Sequence, residues 1–282
     1  MSPSALETIR RALAEDLGAG DVTSEAFIPA THRGTARIVS REDAVLAGAD
    51  AAAAVFGLVS NDCTVDALLA NGTALAPGDV VMEIHGPTRA LLAAERTALN
   101  FIQRLSGVAT LTRRFAAAIA GTGAILLDTR KTTPGLREYE REAVRAGGGT
   151  NHRFGLFDMV LAKDNHLAVT GDAAGLQRAV DAARERHPGI RIEIEADSLD
   201  QVRMLCGLRG VDIILLDNMT NAQMREAVSI RGTAPILLEA SGGVTLETVR
   251  GIAETGVERI SVGALTHSAR AVDFSLEMLP GS

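Results

Sequence analysis

Residues 190–218 read IRIEIEADSLDQVRMLCGLRGVDIILLDN. Two runs rich in Ile, Leu and Val, IRIEIEA and VDIILLDN, flank a stretch of helical spacing, so the segment reads as strand, helix, strand. Runs of the same kind lie on both sides: AILLDT at 124–129, DMVLAK at 158–163, PILLEA at 235–240 and RISVGA at 259–264. Apolar strands alternating with helices are the pattern of parallel strands buried on both faces, and a barrel of repeated strand–helix units is the economical arrangement.

The runs end in polar or small residues: Asp128 to Lys131, Lys163-Asp164, Glu195, Asp217-Asn218, Glu239 to Ser241, and Gly263. In an α/β barrel the carboxyl ends of the strands converge on one mouth, where active sites are built. These residues are therefore predicted to share a site.

Upstream the chain has a different character. Leu6, Ile9, Leu13 and Leu17 recur at helical spacing before Gly18 and Gly20 end the pattern. ARIVS, AVLAG, CTVDALL and DVVMEIHG, punctuated by Asn71-Gly72 and Pro77-Gly78, predict a small, largely β domain. GTALAPGDVVMEIHG also suits a carrier-type β sandwich, but no Lys stands at a hairpin tip to bear a prosthetic group. From Ala93 to Ala120 the spacing is helical, and Gly107 is predicted to break it into two helices.

Composition narrows the function. A net charge of -7 and 3% aromatic residues disfavour nucleic acid and anionic membranes as partners. Any bound anion must therefore be held locally. Two cysteines, Cys63 and Cys206, do not make a disulfide framework, and the charged, helically periodic N-terminus does not read as a signal peptide. The most apolar stretch, Ala44 to Val59, contains Asp50 and falls short of the ~20 residues that span a bilayer. A cytoplasmic enzyme is expected.

Cations cluster after the strands. Arg130 and Lys131 pair a planar fork with a compact charge, which suits a carboxylate or phosphate. Gly147, Gly148 and Gly149 permit close backbone approach ahead of His152 and Arg153, and Lys163 ends the next strand, with Asp164 as a possible ion-pair partner. Glu195 and Asp217 bring the opposite charge: hard oxygen donors for Mg²⁺ or for sugar hydroxyls. Ser241, Gly242 and Gly243, with Gly263, follow the last two strands, where barrels commonly hold a phosphate.

ERTALNFIQRLSGVAT, LDTRKTTPGLR, GGGTNHRFG, KDNH, DIILLDNM and LEASGGVTLETVRGIAETGVERISVGALTHSA together resemble the quinolinate phosphoribosyltransferase family, and the likeness runs from Leu6 to Leu276. The resemblance implies an N-terminal α/β sandwich domain, residues 1–106 joined in space by the tail 268–282, and an incomplete, seven-stranded type of α/β barrel over 107–267. It implies phosphoribosyl transfer from phosphoribosyl pyrophosphate to quinolinate with decarboxylation, Mg²⁺ as cofactor, and a homodimer. It assigns Arg130, Lys131, His152, Arg153 and Lys163 to the quinolinate pocket, with Arg96 reaching in from the other subunit. Glu195 and Asp217 would face ribose and Mg²⁺ and, with Lys131, make up the expected catalytic set; Ser241, Gly242, Gly243 and Gly263 would lie near the 5'-phosphate. Arg141 stands where relatives often carry Lys, and Tyr139 lies near by. The alternatives are the related pyrophosphorylase found with molybdate-transport proteins, which KDNH and the intact TRKTTPGLR disfavour, a Schiff-base aldolase using Lys163, and a non-catalytic sensor of pyridine nucleotides.

Overall fold

The computed structural model describes residues 1–166 and 172–280. They form two compact units: Met1–Arg113 with Thr132–Gly148 and Leu265–Ser282, and Arg114–Lys131 with Gly149–Ala264.

The first unit begins with helices α1 (Pro3–Leu17) and α2 (Val22–Phe27), each started by a side chain that accepts orphan backbone N–H groups: Ser2 from Ala5, and Asp21 from Thr23 and Ser24. Strands β1 (Arg33–Ser40), β2 (Ala44–Val45), β3 (Thr64–Ala67), β4 (Ala74–Leu75) and β5 (Val80–Pro87) follow, with α3 (Ala49–Val59) between β2 and β3. Helices α4 (Thr88–Ala118) and α5 (Arg137–Ala146) and the final strand β12 (Phe274–Met278) contribute to this unit. Its main sheet runs β12-β1-β5-β3, antiparallel throughout. Alternation along β1 and β5 turns Ile38, Met82 and Ile84 inward, and these side chains are fully buried, as are Phe56 of α3 and Leu99, Ile102 and Leu105 of α4. Each such burial contributes roughly 1.5–3 kcal/mol.

Helix α4 corrects one expectation: it passes through Gly107 without a break. A Cβ at Gly107 would lie 2.0 Å from the Arg270 carbonyl oxygen. The glycine is there to let the C-terminal segment pack against the helix, a tertiary requirement that local propensity does not reveal.

The second unit holds a parallel sheet in the order β6-β11-β10-β9-β8-β7. Its strands are β6 (Ile125–Leu127), β7 (Val160–Ala162), β8 (Ile192–Ala196), β9 (Ile213–Asp217), β10 (Leu237–Ser241) and β11 (Arg259–Ser261). Helices α6 (Ala173–Arg186), α7 (Leu199–Cys206), α8 (Asn221–Arg231) and α9 (Val249–Ala253) fall in turn between β7 and β11, and α10 (Ala264–His267) follows. The six predicted apolar runs are the six strands. Where a seventh strand is expected, Thr150 makes a one-residue parallel bridge to Leu127, its N–H donating to Leu126 and its carbonyl accepting from Asp128. Left-handed Gly148, at φ +95, lies two residues before it. The barrel is therefore incomplete, in accord with the sequence reading. No helix among the described residues is long and apolar enough to cross a membrane.

Candidate active site

A strand's side chains repeat every two residues on one face, which gives the carboxyl end of this sheet two storeys. Glu193 and Glu195 share a face of β8, Glu239 and Ser241 a face of β10, and Arg259 and Ser261 a face of β11. The lower residues are closed off: Glu193 and Glu239 are fully buried and Arg259 nearly so. Arg259 stands directly opposite Glu239 in the β10–β11 register and its Nε donates to Glu239 at 2.7 Å.

His152 reaches down into this lower storey. Its Nε2 lies 3.0 Å from Glu193 Oε2 and 3.1 Å from Glu239 Oε1, and its Nδ1 accepts the Arg153 N–H at 2.7 Å. Burial disfavours the imidazolium, while the two carboxylates favour it. Burial also raises Glu193, with His152 opposing and Glu239 reinforcing; at Glu239, His152 and Arg259 overcome burial and hold the group below the usual carboxylate range. From the end of β6, buried Asp128 accepts the His152 N–H at 2.6 Å and the Asn151 side-chain amide at 2.7 Å. Of this lower layer, Asp128, His152 and Glu239 were placed at the site from sequence and Glu193 and Arg259 were not, although the alternation of Glu193 and Glu195 within IRIEIEA was the signal that a second carboxylate faces the same way.

The upper storey carries the other predicted residues. Lys163, about half exposed, donates from Nζ to Glu195 Oε2 at 2.7 Å. The ion pair with Asp164, the alternative weighed from sequence, gives way to one with a carboxylate on the neighbouring strand. Asp217 is raised first by burial and then by the Glu195 charge, with Asn218, Lys163 and Lys131 opposing, so these groups sit close together. Asn218 is the one described non-glycine residue with positive φ, 53°, and it turns its amide to Asp217 Oδ2 at 2.7 Å. Gly242, at φ +95, fits beneath it: a Cβ there would stand 2.1 Å from Asn218 Oδ1. Ser241 pairs with Asp217 across the β9–β10 ladder, and Gly243, at φ +58, leaves open space around its α-carbon.

Arg130 and Arg153 form the basic side. Burial lowers Arg153, and the nearby Arg130 charge lowers it further, while Glu193 and Asp158 oppose. Two guanidiniums close enough to repel each other favour an incoming anion. Lys131 is exposed, with its N–H held by Thr129 Oγ1 at 3.1 Å; Gly263 follows β11 and is half-buried. In the second unit the structure thus brings Lys131, Lys163, Glu195 and Asp217 together, and Arg130, His152 and Arg153 together. Arg96 is exposed on α4 in the first unit.

The first unit also holds an arrangement that sequence reading missed. Fully buried Glu140 of α5 accepts the Thr133 N–H at 3.0 Å and its hydroxyl at 2.8 Å, while Arg104 of α4 donates to Glu140 and to the carbonyls of Thr266 and Ala269. The segment after Arg130-Lys131 is therefore pinned by a buried ion pair. Gly147 of the glycine run has a packing task, since a Cβ there would lie 2.5 Å from the Ala109 carbonyl of α4.

An incomplete parallel α/β barrel with paired cations and paired carboxylates at its strand ends defines a barrel enzyme that handles anionic substrates. Comparison with known proteins narrows the class. Residues 21–106 match the N-terminal domain of quinolinate phosphoribosyl transferase and residues 108–277 its C-terminal domain. The chain belongs to that family. It is 44% identical over 280 residues to the nicotinate-nucleotide pyrophosphorylase [carboxylating] of Mycobacterium leprae, covering 98% of this chain and 97% of that one. It is 40% identical over 264 residues to the probable enzyme of the same name from Bacillus subtilis, covering 94% and 90%. Among solved structures, the nicotinate-nucleotide pyrophosphorylase of Francisella tularensis superposes with a TM-score of 0.92 at 37% identity, covering 99% of this chain and 98% of that one.

Proposed function

We propose that this chain transfers the phosphoribosyl group of phosphoribosyl pyrophosphate to quinolinate, giving nicotinate mononucleotide, pyrophosphate and CO₂, a step of NAD biosynthesis. The observation that carries the reading is the split of charge at one end of the second unit's sheet: Arg130 with Arg153, and Lys131 with Lys163, beside Glu195 and Asp217. Family membership over nearly the whole chain supports it.

Charge dictates the roles. Quinolinate is a dianion, and Arg130, Arg153 and Lys163 offset its two carboxylates and, above His152, hold the ring nitrogen toward the anomeric carbon. That nitrogen attacks as the bond to pyrophosphate breaks, and positive charge develops on the sugar. Glu195 and Asp217 lie on the side where that charge is stabilised, while Lys131 offsets charge on the departing pyrophosphate. The quaternised ring then accepts the electron pair left when its adjacent carboxylate departs as CO₂, and the same carbon takes up a proton. Backbone N–H groups of Ser241 to Gly243 and Gly263 suit the 5'-phosphate.

Glu195 and Asp217 fit a divalent cation: both are hard oxygen donors, and a cation would offset the burial and the Glu195 charge that raise Asp217. With two carboxylates only, Mg²⁺ would complete its coordination from water and the diphosphate, and bound there it would neutralise the leaving group. We also infer a cytoplasmic homodimer in which exposed Arg96 serves the partner's pocket. A Schiff-base role for Lys163 is not favoured, because its amine is half exposed and ion-paired.

The direct test incubates the protein with quinolinate, phosphoribosyl pyrophosphate and Mg²⁺ and follows CO₂ and mononucleotide together. Equal release of both is expected, and none when nicotinate replaces quinolinate. Mononucleotide from nicotinate, or none from quinolinate, would overturn the assignment.

A further inference from the structure

Three buried carboxylates lie under the turn that carries His152 and Arg153, and the reaction uses none of them directly. Asp128 fixes the backbone of this turn. Glu193 and Glu239 flank a single ring nitrogen, His152 Nε2, at 3.0 and 3.1 Å. Among the described residues neither oxygen of Glu193, nor Oε1 of Glu239, has an aligned hydrogen bond, so both carboxylates meet the ring nitrogen off axis and share it. Burying two acids around one nitrogen is costly unless the arrangement fixes something. The ring's other side shows what is fixed: Nδ1 accepts the Arg153 N–H at 2.7 Å.

Because Nδ1 is an acceptor here, Nε2 carries the ring proton and presents it to both carboxylates. Rotating the ring by half a turn would place carbon at both contacts and lose them. The same three groups lie within metal-ligand distance of one another, but a protonated Nε2 has no lone pair to give a cation. Arg259 completes the clamp by holding the second oxygen of Glu239 at 2.7 Å.

We propose that Glu193 and Glu239 are positioning residues for quinolinate capture: they lock the His152 ring through Nε2–H, the ring locks the Arg153 amide through Nδ1, and the Arg153 guanidinium is thereby aimed into the pocket beside Arg130. The proposal rests on the quinolinate reading and names the support that reading requires. Arg153 also donates from Nη1 to the Met159 carbonyl at 3.2 Å, so its head is held at one end and its backbone at the other.

The test compares Glu193→Leu, Glu239→Leu and Glu193→Gln with wild type, measuring KM for each substrate separately and kcat. Each Leu variant is expected to raise the quinolinate KM about tenfold or more, the scale of one lost hydrogen bond to a charged group, with the phosphoribosyl pyrophosphate KM changed less than about twofold. Glu193→Gln keeps an accepting oxygen and restores most of the affinity. A merely structural role would move both KM values together or lower kcat alone, and either pattern overturns the proposal, as do unchanged values. Nitrogen-15 NMR of the wild-type imidazoles, assigned by the signal lost in His152→Gln, gives a readout independent of whether the Leu variants fold. Protonated Nε2 with unprotonated Nδ1 at neutral pH supports the clamp, and an unprotonated Nε2 or a protonated Nδ1 overturns it. A wild-type protein that does not turn over quinolinate overturns the functional reading and the proposal with it; normal wild-type turnover with unaltered Leu variants overturns the proposal alone.

Discussion

Replacing Arg259 by Met gives a direct energetic test of the lower storey. Met is close in length and apolar, so the change removes the charge without opening a large hole. Glu239 would keep His152 on one oxygen but lose the 2.7 Å contact on the other, while remaining fully buried. Stranding one member of a buried ion pair costs about 3–5 kcal/mol, and the surviving His152 contact places the expected loss near the lower end, about 3 kcal/mol. That is a large fraction of the ~5–15 kcal/mol by which a domain is stable. Urea unfolding followed by far-UV circular dichroism measures the loss, and amide hydrogen exchange should localise it to β10 and β11, where the two residues face each other. Replacing both members, Glu239→Met with Arg259→Met, removes the stranded charge and is expected to recover most of the deficit. A single variant within about 1 kcal/mol of wild type, or a double variant no more stable than the single, would refute the reasoning.

Gly242→Ala puts a methyl 2.1 Å from Asn218 Oδ1 at φ +95. It should cost about 1–3 kcal/mol in thermal unfolding and raise the phosphoribosyl pyrophosphate KM far more than the quinolinate KM. Arg130→Ala or Lys163→Ala removes a charge-assisted contact worth ~1.5–3 kcal/mol, so calorimetric quinolinate affinity should fall roughly 10- to 100-fold; unchanged affinity in both would dissolve the pocket.

The strands were legible because each is an uninterrupted apolar run closed by a polar residue, and burial on both faces imposes that composition. The upper-storey residues were legible for the same reason, since a strand end marks itself. Gly107 was misread because glycine in a helical pattern signals a break, while its actual partner is the Arg270 carbonyl, remote in sequence. Lys163 was offered its sequence neighbour Asp164, yet the ladder between β7 and β8 brings Glu195 instead. Glu239 was legible as a strand-end residue, but Glu193 and Arg259 escaped because their meaning lies in their partners: each looks like an ordinary interior oddity until the order β11-β10-β9-β8 brings them to Glu239 and His152. Arg104 and Glu140 share that blindness, joining two helices whose pairing no local pattern announces.

Strand β12 lies outermost in the first sheet and pairs with β1 from Ala36↔Met278 to Ser40↔Phe274. On the ribosome, the part of the molecule begun earliest is thus finished last. While the barrel strands are being synthesised, β1 shows an open flank of unsatisfied amides and carbonyls, the kind of surface that recruits stray strands from other nascent chains. Synthesis of β12 is the event that seals it, so loss of Phe274–Met278 would damage the domain opened by β1 rather than the barrel strands made just before.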